Sequence, residues 1–182
     1  MTIRIVLCRQ LYNLKRALSV FIKGLLGWAI GAKIKQGHGY VEAKCDKLTG
    51  AAIYLDFPSV GATENILLLA ARAEGVTVIH NAAREPEIAD LAEFLNRCGA
   101  KISGAGGGKI TINGVKKLHG CEYRIMPDRI ACATYLACAA STSGELIVTD
   151  CRPTDMESIL PVFEQMGCIV HTLDDRIFFS AK

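Results

Sequence analysis

Residues that could do chemistry lie in three polar clusters, each at a point where a predicted strand passes into a predicted helix. In the first cluster, FPSVGATEN (57–65), Pro58 fixes a turn and Ser59 can cap the following helix. Gly61 would let a ligand approach the backbone, and helix amino termini attract phosphate through free N–H groups and the helix dipole. A plain helix cap explains the same residues, so the pattern allows either a phosphate site or a cap.

The second cluster, NAAREPEIAD (81–90), is rich in charged residues. Its ionisable side chains are Arg84, Glu85, Glu87 and Asp90. Acidic residues are favoured in the first turn of a helix, and Arg84 would then pair with one of them. In the third cluster, PDRI (127–130), Asp128 is predicted to cap a helix, and Arg129 is predicted to face a cleft or an interface.

No other motif predicts a cofactor or a metal. SGAGGGK (103–109) lacks the Ser or Thr that follows GK in a phosphate-binding loop, and an alternating KITI pattern follows, so a hairpin turn is predicted. The histidines show no helical pair spacing, and the cysteines contain no CxxC pair. We therefore expect no metal site and no cofactor, and free cysteines indicate a reducing compartment such as the cytoplasm.

The composition limits the classes of protein that fit. A chain of 182 residues suffices for one large domain or two small ones. An apolar share of 51% and a charged share of 21% are typical of a globular chain and exclude disordered and collagen-like classes. The net charge of +3 is too small for a dedicated nucleic-acid binder, so no nucleic-acid partner is expected.

Residues 1–30 contain the segment that could change this assignment. Over residues 10–30, apolar side chains recur at spacings of three and four, which predicts an amphipathic basic helix. Lys23 interrupts the apolar run and argues against a membrane-spanning helix. We expect a packed helix without membrane contact, with docking on a membrane or a partner helix as the alternative.

A repeat of 68 residues organises the chain. GAKI occurs at 31–34 and 99–102, and a weaker copy, GCIV, occurs at 167–170. Such a long fixed period predicts repeated supersecondary units that bury their apolar faces against one another. The first predicted unit has strands over 40–43, 51–55 and 76–80 and helices over 62–74 and 87–98. The second has strands over 109–112, 121–125 and 145–149 and helices over 130–142 and 155–166.

The two helices of each predicted unit differ in character. The helices over 62–74 and 130–142 are apolar on nearly every side, which is typical of buried helices. The helices over 87–98 and 155–166 are apolar on one side only, and Thr154 with Glu157 forms a predicted capping box at the last helix. The pattern predicts an α/β architecture in which sheets and outer helices wrap buried helices.

Taken together, FPSVGATEN, NAAREPEI and PDRI, in this order, resemble the UDP-N-acetylglucosamine 1-carboxyvinyltransferases of the enolpyruvyl transferase family. The resemblance runs from about Gly31 to the end of the chain. It implies an inside-out α/β barrel, in which two domains of three repeat units bind ligands in the cleft between them. It also implies transfer of enolpyruvyl from phosphoenolpyruvate to UDP-N-acetylglucosamine, which opens peptidoglycan synthesis. Residues 31–126 would end one domain and residues 127–182 would begin the other.

The resemblance also implies roles for individual residues. The loop that holds the uridine diphosphate part of the substrate is matched by Pro58, Ser59, Val60 and Gly61. Positions near the cleft or the hinge are matched by Arg84, Glu85, Glu87, Asp128 and Arg129. Phe57 stands where some members have Lys, and Ala131 and Ala133 stand where many have an acid and a glycine.

Catalytic residues are missing from the match. The family's mobile loop carries a catalytic Cys, and Trp28 of GWAIGAK (27–33) stands at that position. We therefore predict an incomplete, cytoplasmic enzyme that has no catalytic residue and is inactive alone, completed by a companion chain or by self-association. The alternatives are a non-catalytic nucleotide-sugar-binding module and a structural protein that docks on a membrane or partner through its basic helix.

Overall fold

The structure, a computed structural model, describes the backbone of residues 2–6, 33–37, 40–44 and 46–182. The chain divides into two compact units, which are Met1–Arg124 and Ile125–Lys182. The helix predicted over residues 10–30 lies outside the described residues, and so does Trp28 of the GWAIGAK motif.

Thr2–Val6 forms strand β1, which precedes the segment over which a helix is predicted. Four of its five residues are β-branched, a type that is enriched in strands. Strands β2 (Lys33–Gly37) and β3 (Tyr40–Lys44) complete a sheet of order β1-β3-β2 with antiparallel neighbours. The strand predicted over 40–43 is confirmed.

A four-stranded sheet with two helices follows in the first unit. Its elements are, in chain order, β4 (Ala52–Tyr54), α1 (Val60–Ala70), β5 (Val76–His80), α2 (Pro86–Arg97), β6 (Lys101–Ser103) and β7 (Lys109–Asn113). The strand order is β4-β5-β7-β6; β4 and β5 are parallel, and the other neighbours are antiparallel. The carboxyl ends of β4 and β5 therefore lie at the same edge of the sheet.

One side of this sheet and the two helices enclose a core. Alternate residues of the strands point inward, and the isoleucines among them are buried. Ile66 and Leu67 of α1 are fully buried, although Leu68 is exposed, and each buried side chain of this size contributes roughly 1.5–3 kcal/mol. Helix α2 buries one face and keeps the other in solvent, as predicted. The buried face consists of Ile88, Ala92 and Leu95.

The second unit repeats this arrangement with one strand fewer. Its elements are α3 (Arg129–Ser141), β8 (Glu145–Thr149), a 3-10 helix (Pro153–Met156), α4 (Leu160–Gln165), β9 (Ile169–Leu173) and β10 (Arg176–Ser180). The strand order β8-β10-β9, with antiparallel neighbours, matches β5-β7-β6 of the first unit. Its core includes Phe163 and Phe179, whose rings meet edge to face with centroids 5.3 Å apart.

The repeat extends to individual backbone contacts. The glycines that begin the second and third copies of the GAKI motif, Gly99 and Gly167, have φ of 96° and 92°. One hydrogen bond recurs in both units: Ala82 N–H donates to the Gly108 carbonyl (3.0 Å), and Cys151 N–H donates to the Asp175 carbonyl (3.1 Å). The predicted 68-residue repeat is therefore confirmed in the part of the chain that the structure describes.

The helix predicted over 155–166 is wrong as a single element. The segment forms the 3-10 helix and the short α4, because Pro161 has no N–H to donate within a helix interior and therefore lies at the start of α4. The predicted capping box of Thr154 and Glu157 is absent, since neither short helix has a side-chain cap.

Two further segments of the predicted repeat differ in the structure. Residues 121–125 form no strand, and Tyr123 among them bonds instead to helix α2. The helix predicted over 130–142 forms as α3 but is not buried. Only the side of the helix that carries Cys132 and Leu136 packs into the core of the second unit. Its exposed apolar side chains include Ile130 (57%) and Tyr135 (65%).

Gly75 tests the backbone geometry of the repeat. It has a φ of +93°, and a Cβ there would meet nothing within 4 Å, so Gly75→Ala should lower the free energy of unfolding through backbone strain alone, by about 1–2 kcal/mol. Gly61 is the matched control. A Cβ there also meets nothing within 4 Å, but its φ is not positive, so Gly61→Ala should leave stability unchanged or slightly higher. Urea unfolding measures both variants, and equal losses would contradict the geometry.

Candidate functional site

Three loops meet at the sheet edge where β4 and β5 end. The first loop (55–59) follows β4 and leads into α1, and the second loop (81–85) follows β5 and leads into α2. The third loop (104–108) is the glycine turn between β6 and β7, and it lies at the same edge because Lys109 pairs with His80. The predicted hairpin turn is thereby confirmed. The amino termini of α1 and α2, with their positive dipole ends, follow directly from this edge.

The four predicted binding residues lie at the end of the first loop and in the first turn of α1. Ser59 is the N-cap, and its Oγ accepts a hydrogen bond from the N–H of Ala62 (3.4 Å). Pro58 precedes it, and Val60 and Gly61 are the first two helical residues, whose N–H groups have no acceptor among the described residues. A Cβ on Gly61 would meet nothing within 4 Å, so open space lies beside this turn. Ser59 is therefore a helix cap, and the first turn of the helix after it borders open space.

A buried threonine joins the first two loops. The hydroxyl of Thr63 donates to the carbonyl of Ser59 (2.9 Å) and accepts from the N–H of Ala83 (3.1 Å). Asn81, with a φ of 56°, adds a second link because its side-chain amide donates to the carbonyl of Leu55 (2.9 Å). Sequence reasoning missed both residues. A polar side chain inside an apolar helix was the only local signal for the threonine.

The second loop carries a cationic side chain. Arg84 is exposed, and its guanidinium lies over Gly108, where a Cβ would come within 2.9 Å of Nη2. Within the described residues no carboxylate pairs with Arg84, so the predicted ion pair with a neighbouring acid is absent. Glu85 occupies the N-cap position of α2 without a side-chain cap bond, and Glu87 lies in the first turn. Both glutamates are half-buried.

The remaining predicted residues lie in the second unit. Asp128 caps α3, because its Oδ1 accepts from the N–H groups of Ile130 (2.8 Å) and Ala131 (3.0 Å). The predicted cap is therefore confirmed. Arg129 is the first residue of α3 and is half-buried. The structure thus brings residues 58–61 and 84–87 to one edge, whereas Asp128 and Arg129 belong to the other unit.

Three further features of the described residues bear on alternative sites. The described residues contain no group of three or more His, Cys, Asp or Glu side chains placed to hold a metal ion. No helix among them is both long and apolar enough to cross a membrane. An open depression of about 410 Å³ lies on the sheet of the second unit and is lined by Ile147, His171 and Phe178 among others, but by none of the predicted site residues.

Sequence relatives carry a consistent name. The family model for EPSP synthase (3-phosphoshikimate 1-carboxyvinyltransferase) matches residues 14–181. UDP-N-acetylglucosamine 1-carboxyvinyltransferase of Nitratidesulfovibrio vulgaris (strain DP4) is 51% identical over 153 residues, which cover 84% of this chain and 37% of the relative. UDP-N-acetylglucosamine 1-carboxyvinyltransferase 2 of Caldanaerobacter subterraneus subsp. tengcongensis is 48% identical over 162 residues, which cover 89% of this chain and 38% of the relative. The chain thus spans a little over a third of the length of these relatives.

Solved structures share the fold. The enolpyruvyl transferase NikO from Streptomyces tendae superposes with a TM-score of 0.77 at 22% identity, covering 97% of this chain and 43% of that chain. EPSP synthase from Acinetobacter baumannii gives a TM-score of 0.63 at 23% identity, covering 98% of this chain and 42% of that chain. The predicted inside-out α/β barrel repeats are confirmed by these matches. Because the family model covers most of the sequence and the fold agrees with it, the chain belongs to the EPSP synthase family of carboxyvinyl transferases.

Proposed function

We propose that the chain is part of a UDP-N-acetylglucosamine 1-carboxyvinyltransferase, and that residues 58–61 bind the diphosphate of UDP-N-acetylglucosamine. The observation that carries this proposal is the pair of open N–H groups on Val60 and Gly61, because the amino end of a helix attracts anions. Relatives of this name are about half identical to the chain, which supports the same substrate. We place the protein in peptidoglycan synthesis in the cytoplasm, where its free thiols would persist.

Charged residues near the loop support the binding of a phosphorylated substrate. Arg84 lies at the same sheet edge as the first loop, and a guanidinium can bind a phosphate through two parallel hydrogen bonds. This arginine is a candidate to supply the positive charge that some relatives place at the position of Phe57. We propose that Glu85 and Glu87, together with Asp128 and Arg129 of the second unit, border the substrate cleft or the hinge.

The reaction proposed for the complete enzyme transfers the enolpyruvyl group of phosphoenolpyruvate to the sugar hydroxyl and releases phosphate. It needs an acid–base group and cationic clamps within hydrogen-bond reach of both substrates. The chain supplies an anion site and arginines, whereas Trp28 stands at the position of the family's catalytic Cys. We therefore propose that this chain is inactive alone and acts with a companion chain or a second copy. The exposed apolar face of α3, with Ile130 and Tyr135, supports such association.

Gly61→Leu tests the binding site. The new side chain would fill the open space beside the two N–H groups, so affinity for UDP-N-acetylglucosamine should fall by about tenfold or more, or roughly 1.4 kcal/mol. Gly120→Leu is the matched control, because a Cβ there also meets nothing within 4 Å and Gly120 belongs neither to residues 58–61 nor to the three loops. Isothermal titration calorimetry should detect weak binding by the wild type and the control. Equal affinity of all three proteins, or no binding by the wild type, would contradict the site.

The isolated chain should release no phosphate from phosphoenolpyruvate and UDP-N-acetylglucosamine, because it supplies only part of the groups that the reaction needs. A colorimetric phosphate assay on the purified 182-residue protein measures this. Gly61→Leu protein serves as the control for contaminating activity. Release by the wild type that Gly61→Leu abolishes would show that the chain is active alone, against this proposal.

A further inference from the structure

A segment of irregular backbone, residues 118–124, lies along helix α2, and we call it the strap. The backbone N–H of His119 donates to the carbonyl of Cys98 at the carboxyl end of α2 (2.9 Å). The hydroxyl of Tyr123 donates to Oδ1 of Asp90, nearer the amino end (2.8 Å). The strap is therefore held to α2 at two separate points.

Contacts of the tyrosine ring reinforce this attachment. The ring of Tyr123 packs against Phe94 with centroids 5.5 Å apart, and the guanidinium carbon of Arg97 lies 5.2 Å from the ring centroid. Burial and the hydrogen bond to Asp90 raise the pKa of Tyr123 to about 12, so its hydroxyl keeps its proton at neutral pH. The strap thus has a defined position on α2 without any covalent bond.

Two sulfur atoms meet where the strap passes the end of α2. The Sγ atoms of Cys98 and Cys121 are 3.5 Å apart, and both thiols are free. A disulfide bond is about 2.0 Å long, so the two atoms must approach by roughly 1.5 Å. Since the strap belongs to no strand or helix, this approach breaks no ladder of backbone hydrogen bonds.

We propose that Cys98 and Cys121 are a redox modification site, which a small-molecule disulfide such as oxidised glutathione converts to an intrachain disulfide. The half-buried Cys121 reacts first: its thiolate bonds to one sulfur of the oxidant, and the other sulfur leaves as a thiol. The sulfur of Cys98 then attacks Cys121 and displaces the second thiol. Two cysteine thiols are oxidised, the oxidant is reduced to two thiols, and the two cysteine protons pass to them.

Partial exposure of Cys121 distinguishes this pair from the two buried thiols in the core of the second unit. Burial and the contact with Cys121 raise the pKa of the Cys98 thiol, so the oxidant enters at Cys121. Cys132 and Cys151 are both buried, and the sulfur of Cys151 donates to two carbonyl groups at 3.7 Å. An oxidant reaches that second pair only when the unit opens.

The disulfide would tie the strap to α2 just before Ile125, where the second unit begins. It would link positions 23 residues apart and enclose β6 and β7, which restricts the unfolded chain. Oxidation should therefore raise the midpoint of urea unfolding. This effect is independent of the proposed binding of a nucleotide sugar.

Peptide mapping of the full chain tests the proposal. The protein is treated with oxidised glutathione, its remaining thiols are alkylated, and it is digested with trypsin without reductant. Trypsin gives peptides 98–101 and 118–124, which we expect to be joined. Four other cysteines fall in peptide 130–176, because Arg152 precedes Pro153, and this peptide should carry no link to the first two.

Cys121→Ser is the matched variant for this experiment. It should abolish both the linked peptide and the rise in the urea midpoint, and dithiothreitol should reverse both effects in the wild type. Three results would overturn the proposal: alkylated Cys98 and Cys121 in the treated wild type, a lasting glutathione adduct on Cys121, or a link from either residue to another cysteine.

Discussion

The hydroxyl of Thr63 is the contact on which the arrangement of the first two loops depends. It is fully buried and bonds on one side to the Ser59 carbonyl and on the other to the Ala83 N–H. Loss of such a buried partner costs about 1–3 kcal/mol, because the remaining group stays unsatisfied. The capped start of α1 and the path of the second loop, with Arg84 above the glycine turn, both follow from this link.

The α/β repeat could be predicted because it depends on the spacing of apolar residues within short segments of the sequence. Strands β5 and β8 have the bounds that the alternating sequence predicts, and each copy of GAKI begins two residues before the first residue of β2, β6 or β9. The predicted elements that are wrong have physical causes that cannot be read from the repeat pattern. Pro161 divides the last predicted helix, and the contact of Tyr123 with Asp90 keeps residues 121–125 out of a sheet. Helix α3 is apolar all round, yet its own unit covers one face.

Only part of the candidate site depends on contacts between residues that are close in sequence. Ser59 and Asp128 could be predicted as caps because their side chains bond to residues two or three positions away. The links made by Thr63 and Asn81 join residues 20 and 26 positions apart, and the fold alone brings them together. For the same reason the expected ion pair of Arg84 failed: the side chain turns toward Gly108 rather than toward its neighbours in sequence.

If the turn at the start of α1 binds a diphosphate, as we propose, the backbone N–H groups of Val60 and Gly61 should respond to the ligand directly. A heteronuclear NMR titration with UDP, compared with uridine, measures the response of each backbone amide. We predict that the amide signals of Val60 and Gly61 move with UDP and stay in place with uridine, because the diphosphate is the group that binds. Equal movement of these two signals with uridine, or a response to UDP that leaves the signals of Val60 and Gly61 in place, would contradict it.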